Sequence, residues 1–365
     1  MIAIINSRFF RANELIANET VLINEGKITA FTDGTVPDGY VVYDAEQNYL
    51  VPGFIDLQIY GSGGNLFSAF PTVETLAQMD ADLIAKGTTG FLACVATNTK
   101  EIVEQSIIAA KNYRSIAKGF LGLHLEGPYL NVKRRGAHVA DYIKKATLTE
   151  VKELLELADG VVKMMTIAPE LQDDEVIQLL LQHGVILSIG HSDATFEQAT
   201  DAYNKGISTT THLFNAMPSI HHREPNLPTA FFNHSKAKAS IIADGNHVNF
   251  EVIKMSHKLA KDRLFLITDA VASCNIGPYQ HQLMGDKFVT TDGTLSGSII
   301  TMLQAVQNCV NHCDISLSDA LKKASIIPAS LIDRENLNGK IEIGFNADLL
   351  ILSSELNLIK VFKNS

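Results

Sequence analysis

Leu123-His124-Leu125-Glu126-Gly127-Pro128 is an apolar run that ends on a carboxylate. Three other stretches are built alike: Ile189-Gly190-His191-Ser192-Asp193, Thr211-His212-Leu213-Phe214-Asn215 and Ile267-Thr268-Asp269-Ala270. Each reads as a buried strand whose end carries an imidazole or a carboxylate. Such a group inside apolar chain is costly unless it is paired or bound to a cation. Converging strand ends supply what a hydrolytic metal centre needs: few protein ligands, an open position for water and a nearby base.

The same alternation extends outward through the middle of the chain. Strand-like segments fall at 53–58, 90–96, 120–126, 162–168, 185–190, 208–213, 239–243 and 264–268. Helix-like stretches lie between most of them, at 72–85, 149–157, 174–183, 195–205 and 249–261, with helix starts at Thr149-Glu150 and Ser192–Thr195. The pattern predicts an α/β fold, a (β/α)8 TIM-like barrel; a doubly wound sheet is the alternative. The barrel is favoured because every candidate reactive residue sits at the C-terminal end of a strand, where barrel enzymes place their chemistry.

Both chain ends read differently. Val21–Ile28 gives a strand, a turn at Glu25-Gly26 and a second strand, and residues 340–352 are again strand-rich. The expected organisation is a small β-sandwich domain built from residues 1–50 and 339–365, with the metal-dependent hydrolase barrel over 51–338.

Bulk properties narrow the function. The chain has 365 residues, 46% hydrophobic and 19% charged, and a net charge of −10. No basic run exceeds Lys133-Arg134-Arg135, which argues against a nucleic-acid partner. No apolar run reaches the roughly 20 residues of a membrane span, and the N-terminus lacks a signal-peptide pattern. Cys94, Cys274, Cys309 and Cys313 are scattered as reduced thiols of a cytoplasmic protein would be. Cys309 and Cys313 lie four apart on an expected helix, a structural pair rather than a zinc site.

Alone, Glu126 would serve a salt bridge, and His191 and His212 would be hydrogen-bonded core histidines. Together they form a one-carboxylate, two-imidazole set suited to a catalytic divalent ion, zinc first, with Fe2+, Co2+ or Mn2+ open. Asp269 is either a turn residue or the general base for water beside that ion. His124, two residues before Glu126 on the same strand face, would support a ligand by hydrogen bonding or be a fourth ligand. His138 is either a solvated loop residue or an electrophile that polarises a carbonyl. Asn215-Ala216-Met217, Arg223 and Asp244–His247 also follow strand ends, and Arg223 is a natural phosphate contact. Gly61-Ser62-Gly63-Gly64 lacks a phosphate-loop ending and reads as a turn. Met164-Met165 reads as barrel packing.

These fragments, in this order and spacing, resemble the amidohydrolase superfamily and, within it, the family of N-acetylglucosamine-6-phosphate deacetylases. The likeness runs from Pro52-Gly53-Phe54-Ile55-Asp56 to Gly344–Leu349, through Gly190–Ala194, Thr211–Met217 and Arg223-Glu224-Pro225. It implies a metal on Glu126, His191 and His212, Asp269 as acid and base, and His138 on the acetamide carbonyl. It further implies that Ala137, Asn215, Ala216, His247 and Leu295-Ser296-Gly297 line a phosphorylated N-acetyl amino sugar. Arg223 would act across the interface of a homodimer. The implied reaction yields glucosamine 6-phosphate and acetate; the galactosamine epimer, another amide, or a silent scaffold are the rival readings. One departure stands out. Many amidohydrolases carry His-x-His after the first strand, and deacetylase relatives often have Gln followed by Asn or His two residues on. This chain has Gln58-Ile59-Tyr60. Neutral tyrosine is a poor ligand, so one metal per site is expected.

Overall fold

The structure, a computed structural model, describes residues 1–363. Asn364 and Ser365, the last residues of the expected β domain, lie outside the described part.

Eight parallel strands form one sheet in chain order. They are β1 (Phe54–Ile59), β2 (Thr88–Ala96), β3 (Phe120–Glu126), β4 (Val162–Ile167), β5 (Ile186–Ile189), β6 (Thr209–Thr210), β7 (Lys238–Ile242) and β8 (Leu264–Ile267). Beyond the last strand, Ala270 pairs in parallel with Ile59 of the first. The Asp269 amide donates to the Gln58 carbonyl at 2.9 Å and the Tyr60 amide to the Ala270 carbonyl at 2.9 Å. The sheet therefore closes into a barrel, and its seam lies at the end that carries the candidate residues. The doubly wound alternative is set aside.

Strand burial explains the sequence pattern. All nine residues of β2 are buried. A parallel strand covered on both faces reads as a continuous apolar run. Met164 packs inside the barrel with Leu57, Leu92 and Phe265, whereas Met165 faces the helical layer, as the two-residue strand period requires. The expected strand at 208–213 shrinks to Thr209–Thr210, because the chain turns at His212, where φ is 33°.

The helices start where polar caps stand. Thr72 caps Val73–Ala85, and Thr195 with Gln198 forms a capping box on Phe196–Asn204. The helix expected from Thr149 begins earlier, at Leu148, because Thr147 accepts from the Glu150 amide. Helices Lys100–Tyr113 and Met302–His312 add to the outer layer. Among the described residues, no helix is long and apolar enough to cross a membrane.

The chain ends meet. Ile2–Ile5, Thr20–Asn24, Lys27–Thr32 and Val41–Asp44 form one sheet; Leu349–Leu352 lies between Tyr49–Pro52 and Leu358–Phe362 in another. Glu25 and Gly26, both at positive φ, make the tight turn between Thr20–Asn24 and Lys27–Thr32. Ile4, Val21, Ile28, Leu50, Leu349 and Ile351 share a core distinct from that of the barrel. Each such fully buried side chain contributes roughly 1.5–3 kcal/mol.

Candidate metal centre and substrate cleft

Glu126 ends β3, His191 follows β5 by two residues, and His212 follows β6 by two. Backbone strain marks these ends. His191, His212 and Asp269 have φ of 47°, 33° and 54°. Non-glycine residues held there cost about 1–3 kcal/mol each and cluster where geometry serves function. Gly190, before His191, has no room for a side chain: a Cβ would come within 2.6 Å of the Thr166 methyl carbon and 2.8 Å of Thr211 Cβ.

One ligand-type atom from each of Glu126, His191 and His212 lies within 4.8 Å of the others, and all three residues are buried. The tautomer of His191 is fixed by its neighbour. Its Nδ1 lies 2.9 Å from the Arg134 carbonyl, which can only accept, so Nδ1 carries the proton. The Nε2 lone pair then faces Glu126 Oε1 at 3.3 Å and His212 Nε2 at 3.0 Å. His212 Nε2 also lies 3.1 Å from Glu126 Oε1, so one carboxylate oxygen and two imidazole nitrogens converge. The donor set fits a divalent metal ion.

Glu126 is held from the other side. The Tyr60 hydroxyl donates to its Oε2. Gln58 Nε2 is 3.0 Å from Glu126 Oε1 and 2.8 Å from Asp269 Oδ1, so one amide spans both carboxyl groups. His138 Nε2 lies 3.2 Å from Glu126 Oε2. The two carboxyl groups are driven in opposite directions. Burial opposes ionisation of Glu126, but the His191, His138 and His212 rings hold it well below the ordinary carboxylate range. Burial raises Asp269 well above that range against the nearby His212 ring, and the Glu126 charge adds to the rise. Carboxyl groups separated in this way divide into a fixed anion and a proton carrier.

His124 stands outside this cluster. Its Nδ1 lies 3.0 Å from the Leu57 carbonyl, so Nδ1 donates and Nε2 accepts from Thr166 Oγ1 at 2.8 Å. That polarity propagates: Thr211 donates to Thr166 at 2.7 Å, and Ser188 to Thr211 at 2.6 Å. This chain of hydroxyls crosses the barrel beneath the metal-type cluster. Burial pulls the His124 imidazole down to about 3.

A cleft of about 760 Å3 opens above the cluster. Glu126, His191, His212, Asp269, His138, Ala137, Asn215, Ala216, His247, Leu295, Ser296 and Gly297 all line it. His247 is set by Asp244, whose Oδ2 lies 2.6 Å from Nδ1. Arg223 is not among the lining residues; it is exposed, and its guanidinium bonds to no described residue. No lysine or arginine lines the cleft. Tyr279 and His281 also face it and were not singled out in the sequence. Their spacing of two was the available signal, since in extended chain it turns both rings to one side. Cys309 and Cys313 are buried free thiols, and the one metal-type cluster among the described residues does not include them.

A closed parallel barrel with this donor set at its C-terminal mouth defines a metal-dependent barrel hydrolase. The chain matches the amidohydrolase family model over residues 49–365 and belongs to that family. It is 31% identical to the N-acetylglucosamine-6-phosphate deacetylase of Haemophilus influenzae, over 99% of this chain and 98% of that protein. It is also 31% identical to an N-acetylgalactosamine-6-phosphate deacetylase of a Shewanella species, over 95% of this chain and 94% of that protein. The crystal structure of the N-acetylglucosamine-6-phosphate deacetylase of Pasteurella multocida superposes with a TM-score of 0.94 at 31% identity, covering 100% of this chain and 98% of that one.

Proposed function

We propose that this protein hydrolyses the acetamide of N-acetylglucosamine 6-phosphate to glucosamine 6-phosphate and acetate. The observation that carries the reading is the meeting of Glu126, His191 and His212 in one buried cluster, with Asp269 linked to it through Gln58. Membership of a metal-dependent hydrolase family and full-length likeness to sugar-phosphate deacetylases support it.

Glu126, His191 and His212 would hold a divalent ion, zinc in the first instance. When bound, such an ion supplies Lewis acidity and makes water a stronger acid. Asp269 takes the proton of the attacking water. Its Oδ1 is occupied by the Gln58 amide, so Oδ2 is the atom that receives the proton. The same oxygen then delivers it to the departing nitrogen, which leaves as the free amine. His138 donates to the acetyl oxygen as negative charge develops there, a contact typically worth about 2.7–4 kcal/mol. Tyr60 stands where the family resemblance places the second histidine of His-x-His, and its bond to Glu126 supports one ion per subunit.

The substrate carries a phosphate, yet the cleft holds neither lysine nor arginine. His247, Asn215, Ala216 and the Leu295–Gly297 segment line the wall that would receive the sugar phosphate. The missing cation is assigned to Arg223 from a second copy in a homodimer; its exposure and lack of a partner in its own chain support this. The catalytic unit is assigned to residues 51–338 and the supporting β unit to 1–50 and 339–365, since every cleft residue falls in the first. Four unpaired cysteines fit a cytoplasmic enzyme.

Acetate release from a panel tests the reading: N-acetylglucosamine 6-phosphate, its galactosamine epimer, and both sugars without phosphate. The glucosamine phosphate should give the highest kcat/KM. A higher value on the epimer would transfer the assignment to that sugar, and no release from any of them would end it.

A further inference from the structure

The segment after β8 returns to the cleft as a hairpin, Gln282–Met284 against Lys287–Val289. Cys274 and His281 exchange backbone bonds at its base, at 3.3 and 2.9 Å. This fixes the backbone at His281, two residues after Tyr279. The Tyr279 hydroxyl donates to the Thr97 carbonyl. The Tyr279 ring lies 6.3 Å from that of His138 and 6.4 Å from that of His281, the latter nearly parallel at 18°. The Phe288 ring meets that of His281 edge-on, with centroids 6.3 Å apart. One aromatic ring therefore adjoins both imidazoles, and all three rings line the same cleft.

His281 is buried, yet it lines the cleft. Its Nδ1 lies 2.8 Å from Ser296 Oγ. When the serine hydroxyl donates to Nδ1, the ring proton sits on Nε2. That nitrogen bonds to no described residue.

We propose that His281 donates from Nε2 to a ring hydroxyl of the bound sugar and thereby sets which hexosamine phosphate the cleft accepts. The inference rests on the deacetylase reading above. The chemistry favours a hydroxyl over the phosphate. Burial pulls the His281 imidazole to about 4, so it is neutral at cellular pH. A neutral donor gives one directional bond, which suits a hydroxyl, whereas a phosphate dianion calls for a cation. A cleft that spends a buried polar group on one hydroxyl also rejects analogues that lack it.

The test compares wild type, His281→Leu and His281→Gln by steady-state kinetics. The substrates are N-acetylglucosamine 6-phosphate and its 3-deoxy and 4-deoxy analogues; metal content is measured alongside. His281→Leu should raise KM about five- to tenfold and leave kcat within about twofold, as loss of one neutral hydrogen bond implies. One deoxy analogue should bind wild type poorly and suffer no further loss in His281→Leu. Glutamine, whose amide donor lies near the position of Nε2, should recover most of the loss. An unchanged KM in His281→Leu, with wild-type turnover intact, would overturn the role of His281 alone. So would equal losses on both deoxy analogues. A wild type that turned over none of these substrates would instead remove the parent reading, and this inference with it.

Discussion

The Tyr60 hydroxyl donates to Oε2 of Glu126, the carboxylate oxygen turned away from His191 and His212. Gln58 Nε2, 3.0 Å from Oε1, holds the oxygen that faces those two imidazoles, so both carboxylate oxygens are fixed by neighbours from the first strand's end. Outer groups of this kind orient a ligand and typically change metal affinity about 10- to 100-fold when removed. Tyr60→Phe should therefore bind one ion more weakly, by about 10- to 100-fold in Kd, with the fold intact. Metal analysis of dialysed protein and chelator competition would measure this. Two tightly held ions per wild-type chain would refute the assigned role.

Asp269→Asn should keep the metal and lose most turnover. The amide still accepts from Gln58, but it can neither take nor return a proton. General acid–base catalysis is worth about 10²–10⁴-fold, so kcat should fall by that factor while metal content stays level. A near-normal kcat would reduce Asp269 to a structural turn residue.

Arg223 should matter only for the phosphate. Arg223→Ala should raise KM for the phosphorylated sugar, on the order of tenfold for a lost charge-assisted contact, and leave turnover of the unphosphorylated sugar unchanged. Mixing it with Asp269→Asn should restore activity, because each mixed dimer rebuilds one complete cleft. Failure of the mixture, in protein shown to exchange subunits, would mean that Arg223 does not act across an interface.

Stability should fall with acid through two buried imidazoles. Burial holds His124 near 3 and His281 near 4, both below the roughly 6.5 of an unfolded histidine. The unfolded chain then binds more protons than the fold in that interval. The stabilisation is complete above about pH 6.5 and is lost as pH falls toward 4 and then 3. Denaturant midpoints across this range should drop in wild type. They should drop less steeply in His124→Asn, which keeps a donor for the Leu57 carbonyl but cannot titrate. Parallel slopes would contradict the neutral state of His124.

Much of this is legible in the sequence itself. The barrel strands are continuous apolar runs because both faces are covered, and that signal is local to the sequence. Glu126, His191, His212 and Asp269 were legible for the same reason, since each interrupts such a run at its end. The strand at 208–213 was overestimated because nothing in Thr211-His212 announces a positive φ. The polarity of the His124–Thr166–Thr211–Ser188 chain was not legible, because it depends on four different strands meeting inside the barrel. Tyr60 was read as a poor ligand, but its bond to Glu126 is a contact between β1 and β3 that only the closed sheet creates. Tyr279 and His281 were missed because the hairpin that returns them to the cleft follows the last barrel strand and has no apolar periodicity of its own.

The most direct test of the central claim is acetate release by one preparation taken through chelation and metal re-addition. Turnover of N-acetylglucosamine 6-phosphate should vanish as the ion is stripped and return in full at one equivalent of Zn2+ per chain. A Glu126→Gln protein treated alike should not recover. Full turnover by the stripped wild type, or full recovery by Glu126→Gln, would contradict the account.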